Sequence, residues 1–158
     1  MTKGPSSTES HPDIMAPPPL LFAGPWLGGL LLQRLLPVPR LPLAVRLLGL
    51  PLIAAGFGLG GWFIWTMRRA GTPVDPYEAS TALVTEAPFR LTRNPAYVGL
   101  TLAYAGLSLL VGTLWSLLLL PGVVLAVDRG VIQPEERYLE KQFGSSYSQY
   151  RHRVRRWL

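Results

Sequence analysis

A run of residues without a charged side chain, 95–127, most constrains how this chain can fold. As a single helix it would be about 50 Å long, far more than the roughly 30 Å of a bilayer's hydrocarbon core. The run therefore predicts a tight helical hairpin. Gly112 and Thr113 are the expected turn, and Trp115 follows as an aromatic anchor at the membrane surface.

Two earlier apolar segments predict further membrane spans. The first contains Pro25 and a pair of glycines and is short for a crossing, which takes about 20 residues. The second ends in Arg68 and Arg69, as expected where a span leaves the bilayer. Charged residues make up only 15% of the chain and lie mostly between and after these segments. The prediction is an all-α integral membrane protein of about four transmembrane helices, at residues 20–36, 43–67, 95–111 and 114–128.

The other segments predict a tail and a loop attached to one membrane domain. Residues 1–19 are rich in Ser, Thr and Pro, which indicates a disordered tail, and His11 in this tail is expected to be solvated. Residues 20–158 are expected to form a single domain. Residues 70–92 are polar, with turn signals at Gly71, Pro73 and Pro76, and residues 81–85 have the β-branched content of a short extended piece.

The last segment, residues 134–158, has an amphipathic pattern. Its apolar residues recur at steps of three and four, while basic residues take the other faces. They are Leu139, Phe143, Tyr147, Tyr150, Val154 and Trp157. The pattern predicts a helix lying in the membrane interface, divided at Gly144 with Ser145 or Ser146 capping the second half. His152 in this segment is expected to be a surface residue, because no second ligand stands at metal-binding spacing.

Charge predicts the orientation and the partners. The formal net charge is +6, with much of the excess near the C-terminus. Beside membrane spans this indicates contact with anionic lipid headgroups rather than nucleic acid, and places both chain ends on the cytoplasmic side. Arg34, Arg40 and Arg46 argue against this, since they would lie on the outer side. The chain has no cysteine, which excludes disulfides, thiolate nucleophiles and cysteine metal sites.

Polar chemistry is concentrated at two points on the predicted cytoplasmic side. Arg93 and Asn94 precede the apolar run, with Asn94 a natural N-cap and the following proline suited to the first helical turn. Glu135 and Glu136 follow the hairpin. They favour a helix start through its dipole, which accounts for their position without any function. The functional alternative is that they pair with a cationic or hydroxyl-rich ligand against an apolar wall.

Four motifs in this order resemble the isoprenylcysteine carboxyl methyltransferase family and the related phospholipid methyltransferases. They extend over roughly residues 56–157. The motifs are Gly71-Thr72-Pro73-Val74, Pro88-Phe89-Arg90, Arg93-Asn94-Pro95-Ala96-Tyr97-Val98-Gly99, and Glu135-Glu136-Arg137-Tyr138-Leu139 with Phe143-Gly144, Tyr147, Tyr150 and Val154. The resemblance implies a small helical membrane fold that transfers a methyl group from S-adenosylmethionine to a lipophilic acceptor, by O-methylation of a carboxylate or, alternatively, by N- or S-methylation of a phospholipid or other small molecule. Such a transfer needs no metal.

The resemblance also implies roles for individual residues. Those expected to bind the cofactor are Arg93, Pro95, Tyr97, Glu135 and Glu136, with Gly58 and Gly60 in the preceding helix. Arg137 would face the acceptor or support the carboxylates. Asn94, also expected at the cofactor site, stands where the carboxyl methyltransferases have histidine, but the phospholipid branch is similar to this chain there.

The expected chemistry is an in-line methyl transfer in a water-poor site, for which the protein must align donor and acceptor. The ring of Tyr97 would stabilise the sulfonium, and Glu136 would be the base if the acceptor is an amine. A carboxylate acceptor needs no base. The alternatives are a reductase binding a nicotinamide cofactor, similar to membrane steroid reductases, and a scaffold without enzyme activity. The sequence pattern does not identify the acceptor or the oligomeric state.

Overall fold

The computed structural model describes residues 14–75 and 77–158, and within them it contains helices and no strand. The predicted tail up to residue 13, His11 and the turn at Pro76 lie outside the described residues. The elements are α1 (Pro18–Leu35), α2 (Leu43–Leu47), α3 (Gly49–Arg69), α4 (Pro95–Val111), α5 (Leu114–Val127), a π-helical turn (Asp128–Ile132), α6 (Gln133–Phe143) and α7 (Ser145–Arg153). The predicted all-helical architecture is therefore confirmed for the described chain, whereas no regular strand forms at residues 81–85.

The turn of the hairpin is where the sequence predicts it. Gly112 ends α4 in the left-handed region, at φ 81°, where a side chain would be strained. Thr113 then caps α5 by accepting the Ser116 N–H. Tyr104 ties the two helices together by donating from its hydroxyl to the Ser116 carbonyl, at 2.9 Å.

Helix α4 lies at the centre of the bundle, in contact with α1, α2, α3 and α5. Its contact with α3 depends on two pairs of glycines that let the backbones meet: Gly56 with Gly99, and Gly49 with Gly106. A Cβ atom on Gly56 would stand 2.6 Å from the Gly99 carbonyl oxygen, closer than any real side chain approaches. The glycines thus allow the close helix packing that small residues permit between membrane helices.

Helices α2 and α3 run on from each other over 27 residues, and α5, the π turn and α6 over 30 residues. Both stretches are long and apolar enough to cross a membrane. Large apolar side chains on α3 are exposed, Phe57 and Trp65 among them, as expected of a helix that faces lipid. The span predicted at residues 114–128 does not end the helix at Asp128. The π turn continues the helix from α5 directly into α6.

The prediction for the C-terminal segment is partly wrong. Gly144 does divide it, but neither Ser145 nor Ser146 caps α7, whose first residue is Ser145 after Gly144 at the cap position. Part of the apolar face is covered by protein. Tyr147 and Tyr150 are buried against Phe89, and residues of α3 and the 70–92 loop pack around them. The 70–92 loop of the same chain packs against this face. An amphipathic pattern shows that a face is apolar but does not show what covers it.

One of the arginines that argued against the predicted orientation has a structural partner. The Nε of Arg46 donates to the Leu110 carbonyl at 2.9 Å, and its side chain lies against Gly112. A cation at this position satisfies a carbonyl at the C-terminal end of α4 and complements the helix dipole. Arg46 therefore holds the hairpin turn, which explains its presence at this end of the bundle.

We predict that Gly56→Ala lowers the free energy of unfolding by about 1–3 kcal/mol, because the new methyl group forces α3 and α4 apart. Gly58→Ala is the matched control: this glycine is on the same helix, and nothing lies within 4 Å of the position that its Cβ would take. It should leave stability unchanged or slightly higher. Thermal unfolding in detergent, followed by circular dichroism, measures both. Equal effects would contradict the packing role of Gly56.

Candidate active site

Two cavities meet at the N-terminal end of α4. The larger, about 500 Å³, lies between α3 and α4 and reaches the first residues of α1. The smaller, about 80 Å³, lies beneath the 70–92 loop and against α6 and α7. Arg93, Asn94 and Glu135 line both cavities. The combined space is that of a small-molecule site, apolar along its walls and polar where the two parts join.

Three side-chain hydrogen bonds hold the loop in place over this site. Thr66 of α3 donates its hydroxyl to the Ala87 carbonyl, and the Tyr150 hydroxyl donates to the Phe89 carbonyl at 2.8 Å. Gln142 of α6 donates to the Ser80 carbonyl. Phe89 packs on Phe63, with ring centroids 5.8 Å apart. The apolar face of the C-terminal helices thus forms a wall of the site.

Tyr97 and Glu135 form a hydrogen bond in the lining of the larger cavity. The phenol donates to Glu135 Oε2 at 3.0 Å, and both residues line that cavity. This links the first turn of α4 to the first turn of α6, far apart in sequence. Glu135 has no guanidinium partner among the described residues, so part of its accepting capacity is open to a ligand.

Glu136, the predicted base, has both carboxylate oxygens bound by an arginine. Its Oε1 lies 3.2 Å from Arg93 Nη2, and Arg156 donates to both oxygens, at 3.2 Å from Nε and 2.7 Å from Nη2. The side chain is only 8% exposed. A carboxylate whose oxygens are both held by guanidinium groups is poorly placed to take a proton from an acceptor. Glu136 anchors a buried ion cluster at the wall of the smaller cavity, whereas Glu135 lines both cavities.

The same cluster extends to Asp128 in the π turn. Arg156 Nη1 lies 3.3 Å from both oxygens of Asp128, which also accepts from Gln133 and from the Trp157 indole. The hydrogen bond to Glu136 raises the pKa of Arg156 above its ordinary value, so this guanidinium stays charged. Asp128, Arg156, Glu136 and Arg93 form a chain of alternating charge, and the cluster carries no net charge.

Arg93 has donors left over. Its Nε and Nη1 are buried and have no hydrogen-bond partner in the described chain, although the side chain is only 9% exposed. Buried N–H groups of an arginine are costly unless an acceptor satisfies them. Arg93 lines both cavities, so these donors mark a position where an anionic or carbonyl group of a ligand would bind.

The chain end holds the backbone beside Arg93. After α7, the Arg155 carbonyl accepts the Arg93 N–H at 2.9 Å, and the Arg156 carbonyl accepts from the Thr92 hydroxyl and the Asn94 amide. Asn94 stands at the predicted N-cap position of α4, but its side chain does not cap the helix. The Arg156 carbonyl takes the amide donor instead, so Asn94 connects the two segments.

Of the other predicted site residues, some line a cavity and others do not. Pro95 and Gly60 line the larger cavity, but Gly58 is exposed and lines neither cavity, because two residues along a helix turn it about 200° to the opposite side. Arg137 is also exposed and lines neither cavity. The structure therefore does not bring Gly58 or Arg137 to the site, and the cofactor and substrate roles predicted for them do not fit their positions.

Some site residues cannot be recognised in the sequence. Arg156 resembles its neighbours Arg153 and Arg155 in a basic cluster, and nothing in the pattern marks it as the one that pairs with Glu136 and Asp128. Asp128 does carry a signal, as the first charged residue after the apolar run. Tyr147 belongs to the smaller cavity's wall, where burial raises its pKa to about 12 and keeps the phenol protonated.

A third space approaches Arg93 from the side of the bundle. It is an open groove of about 780 Å³, bordered by apolar side chains of α5 and ending at Asp128, Arg156 and Trp157. Arg93 borders this groove as well as both cavities.

Comparisons with known proteins identify relatives of this chain. The family model of the phospholipid methyltransferases matches residues 44–146, well over half of the chain. The Protein-S-isoprenylcysteine O-methyltransferase of Schizosaccharomyces pombe is 39% identical over 72 residues, which are 46% of this chain and 30% of that protein. The chain thus matches under a third of that relative's length. No solved structure matches.

We predict that Glu136→Gln lowers the free energy of unfolding by about 3–5 kcal/mol, because it leaves two guanidinium groups without a full counter-charge. Glu140→Gln on the same helix is the control, since its pair with Arg151 is 46% exposed on both sides and should contribute at most about 1 kcal/mol. Thermal unfolding of both variants in detergent measures the two losses of stability. A loss for Glu136→Gln no larger than the control's would contradict the buried cluster.

Proposed function

Because the chain belongs to the phospholipid methyltransferase family, we propose that it is an S-adenosylmethionine-dependent methyltransferase acting on a lipophilic acceptor at the membrane surface. The observation that carries the proposal is the pair of buried, unpaired N–H donors of Arg93 where the two cavities meet. A carboxylate that binds there would satisfy them through a charge-assisted pair.

The residues around Arg93 suit the remaining groups of the cofactor. S-adenosylmethionine supplies an electrophilic methyl group on a sulfonium, together with a carboxylate, an ammonium and ribose hydroxyls. Arg93 would hold the carboxylate, and Glu135 the ammonium or a ribose hydroxyl. The ring of Tyr97 would face the positive sulfur, a contact worth about 0.5–2 kcal/mol. The hydrogen bond from Tyr97 to Glu135 orients both side chains, so that little reorganisation is needed on binding.

The acceptor would occupy the larger cavity and approach from the membrane. The walls of that cavity are mostly apolar, including Phe63, Ile64 and Leu100, and exclude water from the transfer. The Schizosaccharomyces pombe relative is by name an O-methyltransferase of isoprenylcysteine, and we propose O-methylation of a carboxylate on a lipophilic acceptor here. The alternative is N-methylation of a phospholipid amine, which the family match favours.

We further propose that α1, the α2–α3 helix, α4 and α5 are four membrane crossings, with the site and the C-terminus facing the cytoplasm. The terminal arginines and the Arg68-Arg69 pair support this side. Arg46, at the opposite end of the bundle, binds the Leu110 carbonyl. Its position therefore has a structural explanation, and of the three arginines that argued against this orientation only Arg34 and Arg40 remain.

The first test is binding of S-adenosylmethionine, against NADPH, to the full chain purified in detergent. At about a hundred times its dissociation constant the cofactor should add near 2.7 kcal/mol to the apparent stability. Glu135→Gln should weaken binding by about tenfold or more, through loss of a charged hydrogen bond. Arg137→Gln is the control and should bind as the wild type does, because Arg137 lies on the exposed side of the same helix. Stabilisation by NADPH alone would favour a reductase.

The second test separates the two acceptor classes by the pH dependence of turnover. A carboxylate acceptor is already nucleophilic, so activity should stay level above neutral pH and Glu135→Gln should mainly raise KM for the cofactor. An amine acceptor must lose a proton, so activity should rise with pH, while Glu135→Gln should again raise KM for the cofactor. Prenylated cysteine analogues and ethanolamine phospholipids in nanodiscs are the substrates to compare. No methyl transfer to either would contradict both assignments.

A further inference from the structure

Arg156 is the residue through which the chain end reaches the candidate site. It donates to Glu136 of α6 and to Asp128 of the π turn, and its side chain lines neither cavity. It therefore contacts nothing that would bind in them. Any influence of the Arg156 side chain on a ligand there must pass through Glu136 and Arg93.

The three distances at Glu136 show how Arg156 acts on Arg93. Arg156 takes both carboxylate oxygens, through Nε on Oε1 and Nη2 on Oε2. Arg93 has only one contact, from Nη2 to the shared Oε1. Its Nε and Nη1 remain without a partner in the described chain. An arginine and a carboxylate otherwise favour two parallel hydrogen bonds, but here both Glu136 oxygens already accept from Arg156.

We propose that Arg156 is a positioning residue: by occupying Glu136 it prevents that carboxylate from binding Arg93 in the two-bond geometry, and so keeps the donors of Arg93 free for the ligand. This inference rests on the proposed function, since it takes the ligand to be S-adenosylmethionine. Asp128 holds the remaining nitrogen of Arg156 and fixes the guanidinium in the orientation that reaches both Glu136 oxygens.

The side chain and the backbone of Arg156 can be tested separately. The hydrogen bonds to Thr92 and Asn94 use the Arg156 carbonyl, and the neighbouring Arg155 carbonyl accepts the Arg93 N–H. A substitution of the Arg156 side chain leaves both carbonyl acceptors in the chain, and with them all three hydrogen bonds. Arg155 provides the matched control, because its side chain is exposed and its removal changes the net charge by the same amount.

The experiment measures the dissociation constant of S-adenosylmethionine for the full chain in nanodiscs, alongside the thermal stability without ligand. Arg156→Gln should weaken binding by about ten- to a hundredfold, the range expected when a charged hydrogen bond to the ligand is lost. Arg155→Gln should bind within about twofold of the wild type. Wild-type affinity in a folded Arg156→Gln protein would overturn the inference and leave the proposed function standing, whereas a wild type that does not bind overturns both.

The double variant Arg156→Gln, Glu136→Gln distinguishes positioning from a general loss of structure. If Glu136 captures Arg93 when Arg156 is absent, neutralising Glu136 in that background should recover binding by several-fold. If Arg156 only stabilises the fold, the second substitution should weaken binding further, which would overturn the inference. Where Arg156→Gln does not fold, Arg156→Lys takes its place in both comparisons, because an ammonium keeps the charge but cannot donate to both Glu136 oxygens in the forked geometry.

Discussion

The carboxylate of Glu136, shared between Arg93 and Arg156, is the contact on which the site depends. It joins the start of α4, the start of α6 and the end of the chain at one buried point. A charge so nearly removed from water is tolerated only when its partners and their geometry compensate the lost hydration. The cluster therefore specifies how three distant segments meet, and the cavities take their shape from that meeting.

The cluster also divides two neighbouring glutamates into different tasks. Glu136 is engaged by guanidinium groups, whereas Glu135 accepts from Tyr97 and faces the larger cavity. Adjacent residues on a helix point about 100° apart, so Glu136 enters the cluster at the wall of the smaller cavity, whereas Glu135 also reaches the larger cavity. The polar end of an otherwise apolar space thus holds a carboxylate, a phenol and the free donors of Arg93, the groups that a zwitterionic, positively charged cofactor requires.

Much of the fold follows from local physical rules. The charge-free run requires a hairpin because it is too long for one crossing, and Gly112 marks its turn because only glycine adopts that backbone conformation without strain. The site is less predictable. The motifs locate Arg93, Tyr97 and Glu135, but Gly58 and Arg137 match the motifs and yet point away. The C-terminal pattern shows an apolar face without showing whether lipid or protein covers it.

The sequence by itself determined the helical architecture, the position of the hairpin and the two segments that carry the polar chemistry, because these depend on hydropathy, helix length and turn chemistry within short stretches. Only the tertiary structure decided that Arg156 rather than Arg155 enters the ion cluster, that Glu136 is an anchor, and that Arg93 keeps unpaired donors. The physical reason is that the hydrogen bonds open to a charged side chain depend on which distant groups surround it, and one-dimensional patterns do not contain those distances.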